Sequence, residues 1–342
     1  MRILILYTRL TGYWFSCMKY DHQKTGNEYL VIRKSPSLEA PFSINAEKGI
    51  ELIDGDRLSS QELGKIAAQF LPDTVYLSGW ADSRFKKLAK HFKGQGTPVI
   101  MGMDNHWLGN IKQLAASIFG YLLVRRYCTH IWIPGAPQLR FAQKLGFADS
   151  KILRGLYCAD ETLFSKIQQH HFKAQITFVG RLVDHKGLEV LFDVLNELIS
   201  DNSLDFEVKI IGNGLLSKMI PKHEKIKHLA FIHPLELPNE LENAGFFILP
   251  SHYEAWGVVV HEAVLAGLPV IATYQTGAAT EFIANGKNGF TYDSQDKVAL
   301  KNILSTIGTL SEQDYSAMSR KSKELSKSIN LHFWSATLNS VH

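Results

Sequence analysis

Two carboxylates eight positions apart bracket a glycine in the run Pro250-Ser251-His252-Tyr253-Glu254-Ala255-Trp256-Gly257-Val258-Val259-Val260-His261-Glu262-Ala263. The apolar stretch Phe246 to Leu249 reads as a buried strand and Pro250-Ser251 ends it. Gly257, with no side chain, lets the backbone turn tightly into a helix that runs to Ala266. Glu254 then sits in the loop and Glu262 on the helix. The N–H groups of Gly257 and Val258 would point out of the helix N-terminus, where the dipole and the unsatisfied donors favour a bound phosphate. A phosphate beside two carboxylates suggests a nucleotide-sugar site. The same spacing also fits a plain strand-loop-helix with two solvated glutamates.

A second segment repeats the strand-to-helix scheme: Ile176-Thr177-Phe178-Val179-Gly180-Arg181-Leu182-Val183-Asp184-His185-Lys186-Gly187-Leu188. Gly180 ends the strand, and Arg181 and Lys186 bracket the turn. One polyanion could be met by the planar fork of arginine and the point charge of lysine, or both could be solvated cations. Together the two segments resemble the donor half of family 4 glycosyltransferases, which have the GT-B fold. In that family Gly-Arg-Leu-x-x-x-Lys-Gly binds the donor diphosphate, and Glu-x7-Glu with an internal glycine holds the donor sugar and ribose. The resemblance continues through Gly267-Leu268-Pro269-Val270-Ile271-Ala272-Thr273, Thr276-Gly277-Ala278-Ala279-Thr280-Glu281 and Asn288-Gly289-Phe290, and covers roughly residues 150 to 300.

The resemblance implies an α/β protein of two facing Rossmann-like domains with a central cleft. An acceptor-binding domain would span residues 1–155, a donor-binding domain 156–325, and a C-terminal helix in 326–342 would pack back on the first. It implies a retaining, hexosyltransferase-type enzyme that moves a sugar from a nucleoside-diphosphate sugar to a glycan or lipid-linked glycan, in assembly of surface polysaccharide or lipopolysaccharide. Glu254 would contact sugar hydroxyls and Glu262 the ribose. Arg181, Lys186 and the amides of Gly257 and Val258 would stabilise the departing diphosphate without a metal. Gly180 belongs to the same donor set, and His233 and Leu235, in Phe231-Ile232-His233-Pro234-Leu235, would flank the base. Whether a carboxylate acts as a covalent nucleophile stays open.

The first half departs from the pattern. Where the family often has two adjacent glycines after its first strand, this chain has Gly12 alone. Where the family often places a His-Asp pair after a later strand, it reads Gly102-Met103-Asp104-Asn105-His106-Trp107. Asp104 or His106 could contact donor sugar or acceptor, or cap the strand end. Trp14, Trp80 and Trp107 could stack on sugars or pack in a core. A nucleotide-sugar epimerase or hydrolase on the same scaffold, which would not need Glu-x7-Glu, and a non-catalytic nucleotide-sugar-binding protein are the alternatives.

Length and composition agree with two domains. At 342 residues, with 45% hydrophobic and 20% charged, the chain exceeds what one core serves. Three cysteines without short paired spacing argue against a disulfide framework and fit a cytoplasmic setting. Met1 to Tyr7 is too short for a signal peptide and reads as a first buried strand. Further strands are expected at Tyr29–Arg33, Thr74–Leu77, Pro98–Met101, His130–Ile133, Gln175–Val179, Glu207–Ile211, His228–Phe231, Phe246–Leu249 and Val270–Ala272. Helices are expected at Gln61–Phe70, Arg84–Phe92 and Ile111–Tyr127, and through the final stretch from Asp296. A short strand leading to Asp160 would link the halves.

Charge separates those halves. Residues 1–165 hold 21 Lys and Arg against 14 Asp and Glu, and residues 166–342 hold 16 against 19. Much of the excess lies on Arg84 to Lys93, where Phe85, Leu88, Ala89 and Phe92 share one helical face and the cations the other. Such a helix is either a core helix with a solvated basic edge or one that rests on an anionic membrane. Leu114 to Val124 is apolar but too short to span a bilayer. No nucleic-acid motif accompanies the patch. Asp54-Gly55-Asp56 reads as a turn rather than a metal site, and Gly212-Asn213-Gly214 as a tight turn at the nucleotide end of the cleft. His170-His171, His223, His228, His252 and His261 form no ligand set and read as surface or packing residues.

Overall fold

The computed structural model describes residues 1–34, 44–167 and 171–341, so His170 lies outside the described residues. Among them the chain forms two parallel sheets, each in its own compact unit: Met1–Asp160 with Ile329–His342, and Glu161–Ser328. The first sheet has β1 (Arg2–Tyr7), β2 (Glu28–Arg33), β3 (Ile50–Asp54), β4 (Thr74–Leu77), β5 (Val99–Gly102), β6 (His130–Trp132) and β7 (Ile152–Leu153), in the order β3-β2-β1-β4-β5-β6-β7. Around it run α1 (Gly12–Thr25), α2 (Ser60–Phe70), α3 (Ser83–Gly94), α4 (Ile111–Ile118) and α5 (Ala136–Lys144). Strands β4 and β5 are buried along their whole length, as strands covered on both faces must be, which is why they read as continuous apolar runs.

The second sheet has β8 (Gln175–Val179), β9 (Glu207–Ile211), β10 (Ile226–Leu229), β11 (Phe246–Leu249), β12 (Val270–Thr273) and β13 (Gly289–Tyr292), in the order β10-β9-β8-β11-β12-β13. Its helices are α6 (Glu161–Phe164), α7 (Leu188–Ser200), α8 (Leu237–Glu242), α9 (Val258–Ala266), α10 (Ala279–Phe282), α11 (Lys297–Ile307) and α12 (Glu312–Leu325). The last helix, α13 (Leu331–Asn339), belongs to the first unit.

Several elements differ from the expected ones. Helix Ile111–Tyr127 is α-helical only to Ile118 and continues as a π turn, Tyr121–Arg125. The interruption falls at Gly120, where a Cβ would lie 2.6 Å from the Leu145 carbonyl oxygen, so the backbone itself rests on the end of α5. Strand β10 comes two residues before the expected His228–Phe231. Of the link towards Asp160 only Ile152–Leu153 is a strand.

Trp14, Trp132 and Trp334 are buried together, with ring centroids 5.0 to 6.0 Å apart, so Trp14 is a core residue. Beside them Asp21, fully buried on α1, gathers neutral donors from β2, from α13 and from the turn between α1 and β2. It accepts from Tyr29 Oη at 2.5 Å, Asn27 Nδ2 at 2.7 Å, Ser335 Oγ at 2.5 Å and Asn339 Nδ2 at 2.8 Å. This network ties α13 to α1 and β2.

Two predictions follow from these buried polar groups. Orphaned buried donors each cost about 1–3 kcal/mol, so Asp21→Ala should lower the denaturant midpoint of unfolding by at least ~3 kcal/mol equivalent. A loss below ~1 kcal/mol would contradict the network's role. His261, fully buried on α9, stacks on Phe282 at 4.3 Å and its Nε2 bonds the Ser326 carbonyl at 3.0 Å. Burial pushes its pKa down to about 4 despite that carbonyl. The unfolded chain, with an ordinary imidazole near pH 6.5, therefore binds the proton first. The resulting stability, about 3 kcal/mol, is complete above pH ~6.5 and is lost as the pH falls towards 4. Thermal unfolding over that window should fall less steeply for His261→Gln than for the parent.

Candidate functional site

In an open parallel sheet the loops at the carboxyl edge part where strand order reverses, and the gap left there receives ligands. In the second sheet that point lies between β8 and β11, because the chain leaves β8 for β9 on one side and returns to β11 on the other. The loop after β8 carries Gly180, Arg181 and Lys186, and the loop after β11 carries Glu254 and Gly257. Topology alone brings the cations and the first carboxylate to one place.

Backbone contacts then set the geometry. The Gly180 N–H donates to Ile211 O at 3.0 Å and the Leu182 N–H to Asn213 O at 2.9 Å, so the loop after β8 is zipped to the loop after β9. A Cβ on Gly212 would lie 1.9 Å from the Gly180 oxygen, and one on Gly214 2.1 Å from the Leu182 oxygen. The Gly-Asn-Gly run is therefore there for close backbone approach. Asp184–Lys186 makes a single tight turn, and Gly187 follows with φ +63°. A Cβ on Gly187 would lie 2.1 Å from the Pro250 oxygen.

That approach delivers Lys186 Nζ to the Glu254 carboxylate as an ion pair, with side chains only 13% and 18% exposed. Arg181 is exposed. Its charge, after partial burial and Lys186, helps to hold the His185 imidazole below its ordinary pKa. His185 is thus neutral at neutral pH and adds no further cation. Its carbonyl accepts the His252 N–H at 3.0 Å, a second tie between the two loops.

Glu254 is braced from the other side. Its N–H donates to Gln275 O at 3.1 Å and its carbonyl accepts from Gly277 N–H at 3.0 Å, forming a parallel bridge with Thr276. Ser251 Oγ reaches Glu254 Oε2 at 3.4 Å, and Thr273 Oγ1 donates to Ser251 O at 2.6 Å. Sequence reasoning passed over Ser251, Thr273 and Thr276 as individuals. Their only signal is that they are small hydroxyl residues beside the carboxylate loop and within the Thr276–Glu281 stretch. Gly257, at φ +92°, opens α9, and a Cβ there would press within 3.1 Å of Glu254 Cγ and of Leu249 Cδ2. Val258 and Glu262 share the half-buried face of α9, four positions apart, while Val260, His261 and Ala263 are buried. The first N–H groups of α9 have no partner within the helix.

His233 and Leu235 fall in an exposed turn after β10, where Leu235 N–H donates to His233 Nδ1 at 3.3 Å. That turn is two strands from the Lys186–Glu254 pair. His252 pairs instead with Glu189, and its Nδ1 accepts from Gln295 Nε2 at 3.0 Å.

Gly12, Asp104 and His106 belong to the other unit. There the strand order reverses between β1 and β4. Gly12 begins α1, and a Cβ on it would meet nothing within 4 Å, so packing does not demand glycine there. Asp104 follows β5, half-buried. Tyr157 Oη donates to its Oδ2 at 3.1 Å and Gln138 Nε2 to its carbonyl at 3.1 Å. Tyr13 meets Tyr157 edge-on at 5.8 Å. Burial first, then neighbouring tyrosines and Asp104, raises the pKa of Tyr7, Tyr76 and Tyr157 well above the ordinary value. These phenols stay protonated near one carboxylate, to which Tyr157 donates. The His106 carbonyl accepts from Gln113 Nε2 at 2.6 Å. Asp54 ends β3 and bonds Arg33 Nε at 3.2 Å, and the Asp-Gly-Asp run continues as a turn whose Gly55 carbonyl accepts from Arg84. Among the described residues no group of three or more His, Cys, Asp and Glu is placed to hold a metal ion.

Residues 160–324 match the family model of Glycosyl transferases group 1. An uncharacterised glycosyltransferase of Methanocaldococcus jannaschii is 31% identical over 157 residues, 44% of this chain and 42% of that protein. The chain spans less than half the length of the curated relatives it matches. Among solved structures, HepE of Anabaena in complex with UDP-glucose superposes with a TM-score of 0.73 at 18% identity, covering 100% of both chains. WaaG, a glycosyltransferase involved in lipopolysaccharide biosynthesis, superposes with a TM-score of 0.67 at 14% identity, covering 100% of this chain and 99% of that one. The chain has the GT-B fold, and its residues 160–324, which carry the Lys186–Glu254 pair, match the glycosyl transferases group 1 model.

Proposed function

We propose that the protein transfers a hexosyl group from a nucleoside-diphosphate sugar to a glycan or lipid-linked glycan, with retention at the anomeric carbon, as a family 4 enzyme. The observation that carries this reading is the mostly buried Lys186–Glu254 pair beside the glycine-opened N-terminus of α9. Cleavage of the anomeric carbon–oxygen bond leaves charge on the diphosphate. Arg181, Lys186 and the amides of Gly257 and Val258 would take up that charge as fixed donors. Lys186 would turn from Glu254 to the phosphate, releasing the carboxylate to hold sugar hydroxyls, and Glu262 would hold the ribose. The acceptor hydroxyl would attack from the side the diphosphate leaves, passing its proton to the leaving phosphate. HepE's complex with UDP-glucose favours a uridine donor, with the turn at His233 and Leu235 on the base and Gly180 beside the diphosphate. Asp104 and His106 would serve the sugar or acceptor from the first unit. WaaG's part in lipopolysaccharide biosynthesis, and three free buried cysteines, support a cytoplasmic enzyme of surface-glycan assembly that needs no metal or other cofactor.

A thermal-shift panel of UDP-, GDP-, ADP- and dTDP-sugars tests the donor, since a ligand raises apparent stability by mass action. No shift with any of them would remove the donor site. Charge-assisted hydrogen bonds contribute roughly 1.5–3 kcal/mol, so Arg181→Ala and Lys186→Ala should each lower turnover by about tenfold to a few hundredfold while the protein stays folded. Glu254→Gln should lower turnover while nucleoside diphosphate still binds, and Glu262→Ala should weaken nucleotide binding. An inverted anomer by NMR would exclude retention.

Because protein groups supply the charge, turnover should survive EDTA. Loss with EDTA that Mn²⁺ or Mg²⁺ restores would instead implicate metal, with Asp54 and Asp56 the first residues to replace.

A further inference from the structure

In the first unit, α4 and the π turn after it carry large apolar side chains on their outer face. Ile111 is 85% and Ile118 76% exposed, and Leu114, Phe119, Leu122 and Leu123 are each about half exposed or more. No residue of α4 is buried. The line that faces the protein is made of small residues: Ala116 packs on the core, Gly120 rests on the Leu145 carbonyl, and Val124 is 2% exposed. The segment is held by its small side and turns its large side to solvent. A contiguous apolar row of this kind marks a surface that another phase or partner covers.

The surroundings say which. From Arg84 to Arg126 the chain has eight Lys and Arg and a single acidic residue, the half-buried Asp104. Lys112, Arg125 and Arg126 are exposed on the segment itself. Helix α3 runs beside its end: Lys93 Nζ donates to the Arg125 carbonyl, and Lys86 stands over the Tyr127 ring at 5.7 Å. Lys87 and Lys90, on the same helix, are exposed. The apolar row is thus rimmed by cations on more than one side. A second copy of the chain would bring the same cations against these in a two-fold contact. An anionic lipid surface satisfies both features.

We propose that α4 and its π turn lie in the plane of an anionic bilayer, with the apolar row among the acyl chains and the flanking Lys and Arg at the head groups. An eight-residue helix is far too short to cross a bilayer, so the mode is interfacial. The α3 lysines then steer, and the α4 row anchors. The inference rests on the proposed transfer only for its purpose, since a lipid-linked acceptor lies in that same plane.

Flotation of the full chain with phosphatidylcholine vesicles, alone or mixed with phosphatidylglycerol, tests it. The parent should float with the mixed vesicles at low salt and keep part of that binding at high salt, where charge is screened but insertion is not. Ile118→Ser, Phe119→Ser and Leu122→Ser combined should reduce partition at either salt by about tenfold or more, with an unchanged melting temperature because all three sites are exposed. Lys87→Glu with Lys90→Glu should weaken low-salt binding only. No flotation of the parent, or equal flotation of the serine variant, would overturn the proposal. So would a parent dimer that the serine changes dissociate without any vesicle binding. UDP-glucose thermal shifts run in parallel keep the two readings apart: flotation without a shift supports docking and removes the donor site.

Discussion

Where β8 and β11 end, the chain approaches itself more closely than side chains allow. The absent Cβ atoms of Gly187, Gly212 and Gly214 leave room for the carbonyls of Pro250, Gly180 and Leu182, all within about 2 Å of where those atoms would stand. Everything else in the candidate site hangs on that proximity. The tie between the loops sets Lys186 against Glu254, the bridge to Thr276 sets the carboxylate, and Gly257 leaves space for its methylene while opening α9. Desolvation gives the pair its leverage. A lysine and glutamate mostly out of water interact strongly and are costly to leave unmatched, so an anion that draws Lys186 away changes the state of Glu254 too.

How much of this could be read from the chain depends on how local its cause is. The central strands β8, β9 and β11 have the expected ranges: β11 is buried on both faces and reads as an unbroken apolar run, β8 is buried through its first four residues, and β9 keeps a buried apolar set at Val208, Ile210 and Ile211. The peripheral strands β3 and β13 are not among the expected strands, and β7 lies at the start of the expected link and not at its Asp160 end, because their burial is mixed and their pattern correspondingly weak. Glu254, Gly257, Arg181 and Lys186 stand out by spacing, since a turn and a helix start constrain neighbours in sequence.

Long-range causes left no such mark. Nothing near Gly120 announces that Leu145 will be packed against it, so one helix was expected where an α-helix and a π turn are found. Asp104 stood out by position, but the phenols around it come from four separate stretches of the chain, Tyr7, Tyr13, Tyr76 and Tyr157. Ser251 and Thr273 brace Glu254 through a hydrogen-bond relay that spans two strand ends. Residues of that kind become visible only once the sheet has brought them together.

The division of the chain also bears on the order in which its parts can mature during synthesis. The second unit is one continuous stretch, Glu161–Ser328, whereas the first needs Ile329 onward. Asp21 is made before the second unit, yet two of its donors, Ser335 and Asn339, are made after it. Domains made first usually fold first. Here the half encoded first lacks two donors of its buried carboxylate until after the half encoded second has every residue it requires.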